Sequence, residues 1–155
     1  DLPKPILNRG GCNLSFAGLK TAIVRIQSEI KTEQDKFDLA ASFQKTIEEI
    51  LIKKTKKAFE IYLNKSNSLK KTFVVAGGVA ANKGIKDKLT KLSKDNNFEC
   101  LFPDISLCSD NAAMIALVGI EKFKKKSFDE LNFKVNPRWQ LDEKAQFLKG
   151  AGVKI

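Results

Sequence analysis

Thr72-Phe73-Val74-Val75-Ala76-Gly77-Gly78-Val79-Ala80-Ala81-Asn82-Lys83-Gly84-Ile85 is the stretch on which the fold turns. Phe73 to Ala76 is a short apolar run with β-branched residues at its centre, the pattern of a strand covered on both faces. Gly77-Gly78 ends it. Two glycines at the carboxyl end of a strand permit positive φ and carry no Cβ, so a flat ligand can lie against bare backbone there. Asn82 is an N-cap candidate for a helix whose apolar residues Ile85, Leu89 and Leu92 fall four and three apart. Ligands of open α/β sheets sit outside the carboxyl ends of strands. The turn therefore has two readings on its own residues, a ligand site or a tight corner before a capped helix.

Downstream, Asp95-Asn96-Asn97 is a turn. Phe98 to Phe102 alternates as a strand does, and Pro103 ends it. Asp104 to Asn111 then leads into Ala112–Phe123, apolar nearly all round and so expected to be buried. Ser109 is the expected N-cap of that helix, with Asp110 in its positive first turn. Lys124-Lys125-Lys126 is a solvated cluster, Asn136-Pro137-Arg138-Trp139 a turn, and residues 141–155 a tail.

Upstream, residues 1–13 hold Pro3, Pro5, Gly10 and Gly11 and read as irregular. Leu14-Ser15-Phe16 reads as a strand end. Gly18 opens a helix carrying Leu19, Ala22, Ile23, Ile26 and Ile30 on one face. A second helix is expected over residues 34–63, about 45 Å long at 1.5 Å per residue. Phe43, Ile47, Ile50, Leu51, Ala58 and Ile61 mark its packed side, and the lysines at 53, 54, 56 and 57 lie mostly on the other. Asn64 to Lys71 is a loop. The order α-α-β-α-β-α predicts an α/β fold with the two strands parallel, joined by a right-handed crossover. Two strands are few for a self-sufficient sheet.

The 155 residues have the length of one domain. With 43% hydrophobic and 30% charged residues the chain is globular. No apolar run is long enough to span a bilayer. Its abrupt start, without an initiator Met, is expected of a piece of something longer. The three cysteines, Cys12, Cys100 and Cys108, lack metal-ligand spacing and read as reduced thiols of a cytosolic protein. Net charge is +10, carried almost wholly by lysine. That suits diffuse attraction to a polyanion rather than base reading, for which arginine is the better fork. No histidine occurs, so no Ser/His or Cys/His catalytic pair exists within the chain.

Four segments occur in one order: Leu14-Ser15-Phe16-Ala17-Gly18-Leu19-Lys20-Thr21, Val75-Ala76-Gly77-Gly78-Val79-Ala80-Ala81-Asn82, Cys108-Ser109-Asp110-Asn111-Ala112-Ala113-Met114-Ile115-Ala116, and Pro137-Arg138-Trp139. Together they resemble the C-terminal part of the tRNA threonylcarbamoyladenosine transferase family, long labelled O-sialoglycoprotein endopeptidase or glycoprotease. The resemblance covers nearly the whole chain. It implies the C-terminal portion of an actin-like/Hsp70 (ribonuclease H-like) ATPase lobe with extra helices, residues 1–140 forming the partial lobe and 141–155 the tail. It implies transfer of the threonylcarbamoyl group of threonylcarbamoyl-AMP to N6 of adenosine 37, in tRNAs reading codons that start with A. Gly77 and Gly78 match the superfamily's adenosine motif, and Asn82 the asparagine that contacts the nucleotide. Asp110 matches the catalytic-site aspartate that ligates a divalent metal, iron(II) or zinc. On their own residues Asn82 is equally a cap and Asp110 a helix-start charge. The implied partners are tRNA, threonylcarbamoyl-AMP, a paralogous inactive subunit and a small ATPase subunit, in the cytoplasm and away from membranes.

This sequence departs from the family pattern in having Ala17 where serine is common. More consequentially, it lacks the family's His-x-x-x-His metal pair and the phosphate-facing glycine loop. The expectation is a chain inactive alone and active only within the full-length protein. Two other readings stand beside it. One is a non-catalytic, nucleotide-binding scaffold of the same fold, which would not need Asp110 and Asn82. The other is a metallopeptidase, as in the old label, for which no residue here speaks.

Overall fold

The computed structural model describes residues 2–135 and Pro137, so Asn136, Arg138, Trp139 and the expected tail lie outside the described residues. The elements are α1 (Ala17–Ile26), α2 (Glu33–Lys65), β1 (Thr72–Val74), α3 (Lys83–Asp95), β2 (Glu99–Leu101) and α4 (Ala112–Lys124). Short 3₁₀ turns stand at Gln27–Glu29, Gly78–Ala81 and Ile105–Leu107. The predicted order α-α-β-α-β-α is the observed one. The chain divides into two compact units, Asp1–Asn111 and Ala112–Ile155.

The first unit is built on α2, a 33-residue helix about 50 Å long. Its start is locked by a capping box. Asp35 N–H donates to Thr32 Oγ1 at 3.1 Å, and Thr32 N–H donates back to Asp35 Oδ2 at 2.8 Å. Backbone N–H donors from Lys31 and Thr32, then the Thr32 hydroxyl, hold the Asp35 carboxyl below its ordinary pKa. The helix buries Ile50 and Phe59. Phe59 stacks on Phe98 with centroids 3.9 Å apart and takes Phe73 edge-on at 5.2 Å. Tyr62 meets Phe98 edge-on at 5.8 Å. This aromatic box, at about 0.5–1.5 kcal/mol per ring pair beyond area burial, clamps the sheet to the carboxyl half of α2.

The strands pair in parallel with Thr72 opposite Glu99, Phe73 opposite Cys100 and Val74 opposite Leu101. Both are shorter than their apolar patterns suggested. The expected two-sided cover is absent: Phe73 and Cys100 face the helices, while Val74 and Leu101 are 60% and 45% exposed. A two-stranded sheet with helices on one side leaves its other side to solvent. α3 packs on α2 through Ile85 and Leu89, and Asn97 closes it with a left-handed turn at φ 59. α1 is shorter than expected, because the chain tightens to 3₁₀ geometry after Ile26; only Leu19 is fully buried in it. Leu14-Ser15-Phe16 forms no strand.

Two further expectations fail. Lys54 does not point outward with the other α2 lysines but is 4% exposed. In the second unit, α4 has no buried residue, with Ile115 at 75% and Leu117 at 62% exposure. An apolar circumference records a helix that calls for cover. Within its own unit the described chain offers only Phe128, edge-on to Phe123 at 6.0 Å.

Candidate functional site

The carboxyl edge of the sheet carries the candidate site. β1 ends at Val74, and Val75 N–H extends the ladder to Leu101 O at 3.0 Å. Gly77 then takes φ 85, ψ 175, a backbone region essentially confined to glycine. Gly78 begins a single 3₁₀ turn closed by Ala80 N–H on Gly77 O at 2.9 Å. A Cβ added at Gly77 or Gly78 would meet nothing within 4 Å. Backbone geometry therefore requires glycine at Gly77. At Gly78 what the missing side chain leaves is open approach to the main chain.

Asn82 caps α3, its Oδ1 accepting from Ile85 N–H at 3.1 Å. The same oxygen accepts from Gln44 Nε2 at 3.0 Å, and Asn82 Nδ2 donates to Gln44 Oε1 at 3.0 Å. The two amides thus pair reciprocally between α2 and α3. Gln44 Nε2 also donates to Glu48 Oε1 at 2.7 Å, and Lys88 reaches the other Glu48 oxygen. Glu48 has a side chain only 7% exposed, and its carboxyl is held below its ordinary pKa chiefly by the Lys88 hydrogen bond. Burial opposes that shift, and Gln44 adds to it. Gly84 makes this closure possible. A Cβ there would stand 2.8 Å from Glu48 Oε1 and 3.1 Å from Gln44 Nε2.

Beside this network lies a cleft of about 320 Å³, with Phe43, Ile47 and Val79 as apolar walls and Gly78, Gln44 and Asn82 as polar lining. One Asn82 Nδ2 hydrogen remains beyond the pair with Gln44. A second cleft, about 340 Å³, joins Ala80, Ala81 and Lys83 to Phe102 and Pro103 after β2. Lys86 lies over the Phe102 ring at 5.3 Å in this region.

Asp110 stands apart from these groups. It is exposed, follows buried Cys108, and lines neither cleft. α4 begins at Ala112 with no acidic residue in its first turn, so Ser109 and Asp110 precede the helix rather than opening it. Among the described residues no three His, Cys, Asp or Glu side chains gather as a metal site. Asp110 thus offers one carboxylate, suited to a hard divalent cation but too little alone to hold it. Gly77, Gly78 and Asn82 belong to one corner.

Sequence reasoning missed Gln44, Glu48, Lys88 and Gly84. A signal was present in Gln44 and Glu48, four apart on one helix face, and in an isolated glycine one turn into α3, which usually has a packing reason.

Two parallel strands, a glycine turn that bares its backbone and an amide-capped helix define an α/β protein of the class that carries its ligand at the strands' carboxyl edge. Within that class the chain belongs to the family of TsaD, tRNA N6-adenosine threonylcarbamoyltransferase, whose description matches residues 1–117. Relatives bearing that enzyme name include one from Pelagibacter ubique (strain HTCC1062), 64% identical over 155 residues, covering 100% of this chain and 43% of the relative. One from Rickettsia massiliae (strain Mtu5) is 46% identical over 144 residues, covering 91% and 42%. One from Ruegeria sp. (strain TM1040) is 42% identical over 158 residues, covering 98% and 43%. The chain spans about two-fifths of the length of these relatives. None of its described helices is long and apolar enough to cross a membrane.

Proposed function

We propose that this chain is the C-terminal part of a tRNA-modifying acyltransferase. The reaction moves the threonylcarbamoyl group of threonylcarbamoyl-AMP to N6 of adenosine 37, in tRNAs reading codons that start with A, and releases AMP. The observation that carries this reading is the 64% identity, across all 155 residues, to a relative of that enzyme name.

Residues 1–140 are then the C-terminal portion of an actin-like lobe, and 141–155 its tail. Gly77 and Gly78 let the adenylate lie on bare backbone, and the apolar cleft beside them suits a flat heterocycle. Asn82, held by Gln44, offers its remaining amide hydrogen to the nucleotide. Asp110 is the carboxylate this chain contributes to a divalent metal, iron(II) or zinc, with the other ligands outside it. Such an ion polarises a carbonyl or phosphoryl oxygen. The chain works in the cytoplasm, with a paralogous inactive subunit and a small ATPase subunit, and is inactive alone.

The test is a chimera in which this chain replaces the matching segment of the Pelagibacter ubique relative. It is expressed in cells depleted of their own enzyme, and tRNA nucleosides are measured by mass spectrometry. The chimera restores the modified base; the 155-residue chain alone does not. Asp110→Ala lowers formation by about 100-fold or more, the scale of losing one electrostatic stabiliser. A well-expressed, folded chimera that makes no modified base refutes the reading, and base formation undiminished by Asp110→Ala or Asn82→Ala refutes the assigned roles.

A further inference from the structure

The α2 lysines do not all point away from the protein's body. Lys54 is buried, and its ammonium donates to Arg9 O at 2.9 Å and Gly11 O at 3.3 Å. Lys53 donates to Asn8 Oδ1 at 2.7 Å. These bonds root the loop Asn8-Arg9-Gly10-Gly11 on the middle of α2. Between loop and helix opens a cleft of about 340 Å³, lined by Arg9, Lys53, Lys54, Lys56 and Lys57, with Glu60 the one acid. Glu60 is engaged by Lys57 at 2.8 Å. Five cations against one carboxylate leave the cleft a formal +4, and the buried ammonium meets only neutral carbonyls.

Gathering like charges around a buried ammonium is unfavourable unless an anion compensates. The loop backbone is also open to one. Gly11 has φ 77, a Cβ at Gly10 or Gly11 would meet nothing within 4 Å, and no hydrogen bond takes either N–H among the described residues. Lysine ammoniums, one arginine fork and free backbone N–H groups together are the donor set that grips phosphate oxygens.

We propose that this cleft, on α2 and the Arg9–Gly11 loop, is a binding site for the phosphodiester backbone of RNA. It adds to the glycine-turn site a sequence-independent contact that positions the tRNA. The choice of RNA over a small phosphate rests on the tRNA-modifying reading above; the anionic character of the ligand rests on the cleft alone.

The test measures binding of fluorescently labelled bulk tRNA to the 155-residue chain by anisotropy, between 50 and 200 mM salt. Two charge-matched triples of exposed residues are compared: Arg9→Gln/Lys53→Gln/Lys56→Gln at the cleft, and Lys65→Gln/Lys91→Gln/Lys94→Gln away from it. Melting curves check that both fold. Each phosphate contact contributes about 0.7–0.9 to the slope of log affinity on log salt, so the cleft triple flattens it by about 2. Over that salt range wild-type affinity falls roughly 20- to 40-fold further than that of the cleft triple. The control triple changes the slope by less than half as much. Equal losses in the two triples, or no loss in the cleft triple, overturn the proposal. So does pyrophosphate bound by wild type and lost in the cleft triple without a change in tRNA slope, which marks a small-anion site. The chimera separates the two readings, because its ability to form modified base without these substitutions tests the enzyme assignment, whatever the slopes do.

Discussion

Gly84→Ala probes the network that holds Asn82. In an ordinary helix this change stabilises by about 0.5–1 kcal/mol, because alanine loses less backbone entropy. Here the new methyl arrives 2.8 Å from Glu48 Oε1, 3.1 Å from Gln44 Nε2 and 3.4 Å from Asn82 Oδ1. An ordinary contact needs the Glu48 oxygen to retreat by about 0.6 Å. A solvated glutamate would do so freely, but this one is buried and held by Lys88 and Gln44. Weakening a hydrogen bond to a buried charge costs about 1.5–3 kcal/mol, which exceeds the helix gain. The expected net effect is a destabilisation of about 1 kcal/mol, or roughly 3 °C in melting temperature for a chain of this size. Glu48→Ala removes the obstructing oxygen and frees Lys88 into solvent. In that background Gly84→Ala stabilises by about 0.5 kcal/mol, giving a coupling of about 1.5 kcal/mol in a double-mutant cycle. Urea unfolding of the four proteins reads it directly. A Gly84→Ala protein as stable as the parent, or a cycle with no coupling, would mean that the carboxylate yields freely and that Asn82 is not held from α2.

Other perturbations test the remaining parts. Gly77→Ala forces a side chain into a glycine-only backbone region and destabilises by about 1–3 kcal/mol, whereas Gly78→Ala leaves the melting temperature within about 2 °C. In the chimera Gly78→Ala nevertheless impairs base formation, if open backbone is what the ligand uses. Phe98→Ala removes the ring stacked on Phe59 and lowers stability by about 3–5 kcal/mol, seen as an early unfolding midpoint in urea. Acid weakens the fold through Glu48. Its folded pKa lies below the ordinary 4.5, so its contribution is complete above that value and is lost as pH falls through the folded value. Unfolding free energy measured from pH 7 to pH 3 therefore drops below about pH 4.5, and Glu48→Gln makes the drop shallower.

The periodic parts of the fold were legible because local chemistry decides them. Thr32 and Asp35 announce the start of α2, Asn82 the start of α3, and Asn96-Asn97 its end, and each does so with atoms one turn away. The parallel pairing of β1 and β2 follows from a helix of 13 residues between two short strands. The Asn82–Gln44 pair was not legible, because it joins residues 38 apart and depends on α2 and α3 crossing at that point. Nor was the inward turn of Lys54, since a lysine next to three others reads as solvated until the Arg9–Gly11 loop is known to lie over it.

The errors about burial share one direction. Val74, Leu101 and the whole circumference of α4 are more exposed than their apolar patterns imply, and only a charged residue, Lys54, is less exposed than expected. Hydrophobic patterning reports the surroundings a side chain is fitted to, whereas exposure reports what this chain itself places around it. The outer face of the two-stranded sheet and the apolar helix α4 are therefore surface that the described residues leave uncovered. At about 25 cal/mol per Å² of apolar area, covering either would stabilise it far more than any cap or ion pair described above. The paired amides at the α3 start lie in the part of the chain that already supplies its own cover, between α2 and α3. That predicts an Asn82–Gln44 pair formed in the isolated chain, with side-chain amide protons of Asn82 protected from exchange while α4 amides exchange freely; equal, rapid exchange at both would show that the pair too needs the missing cover.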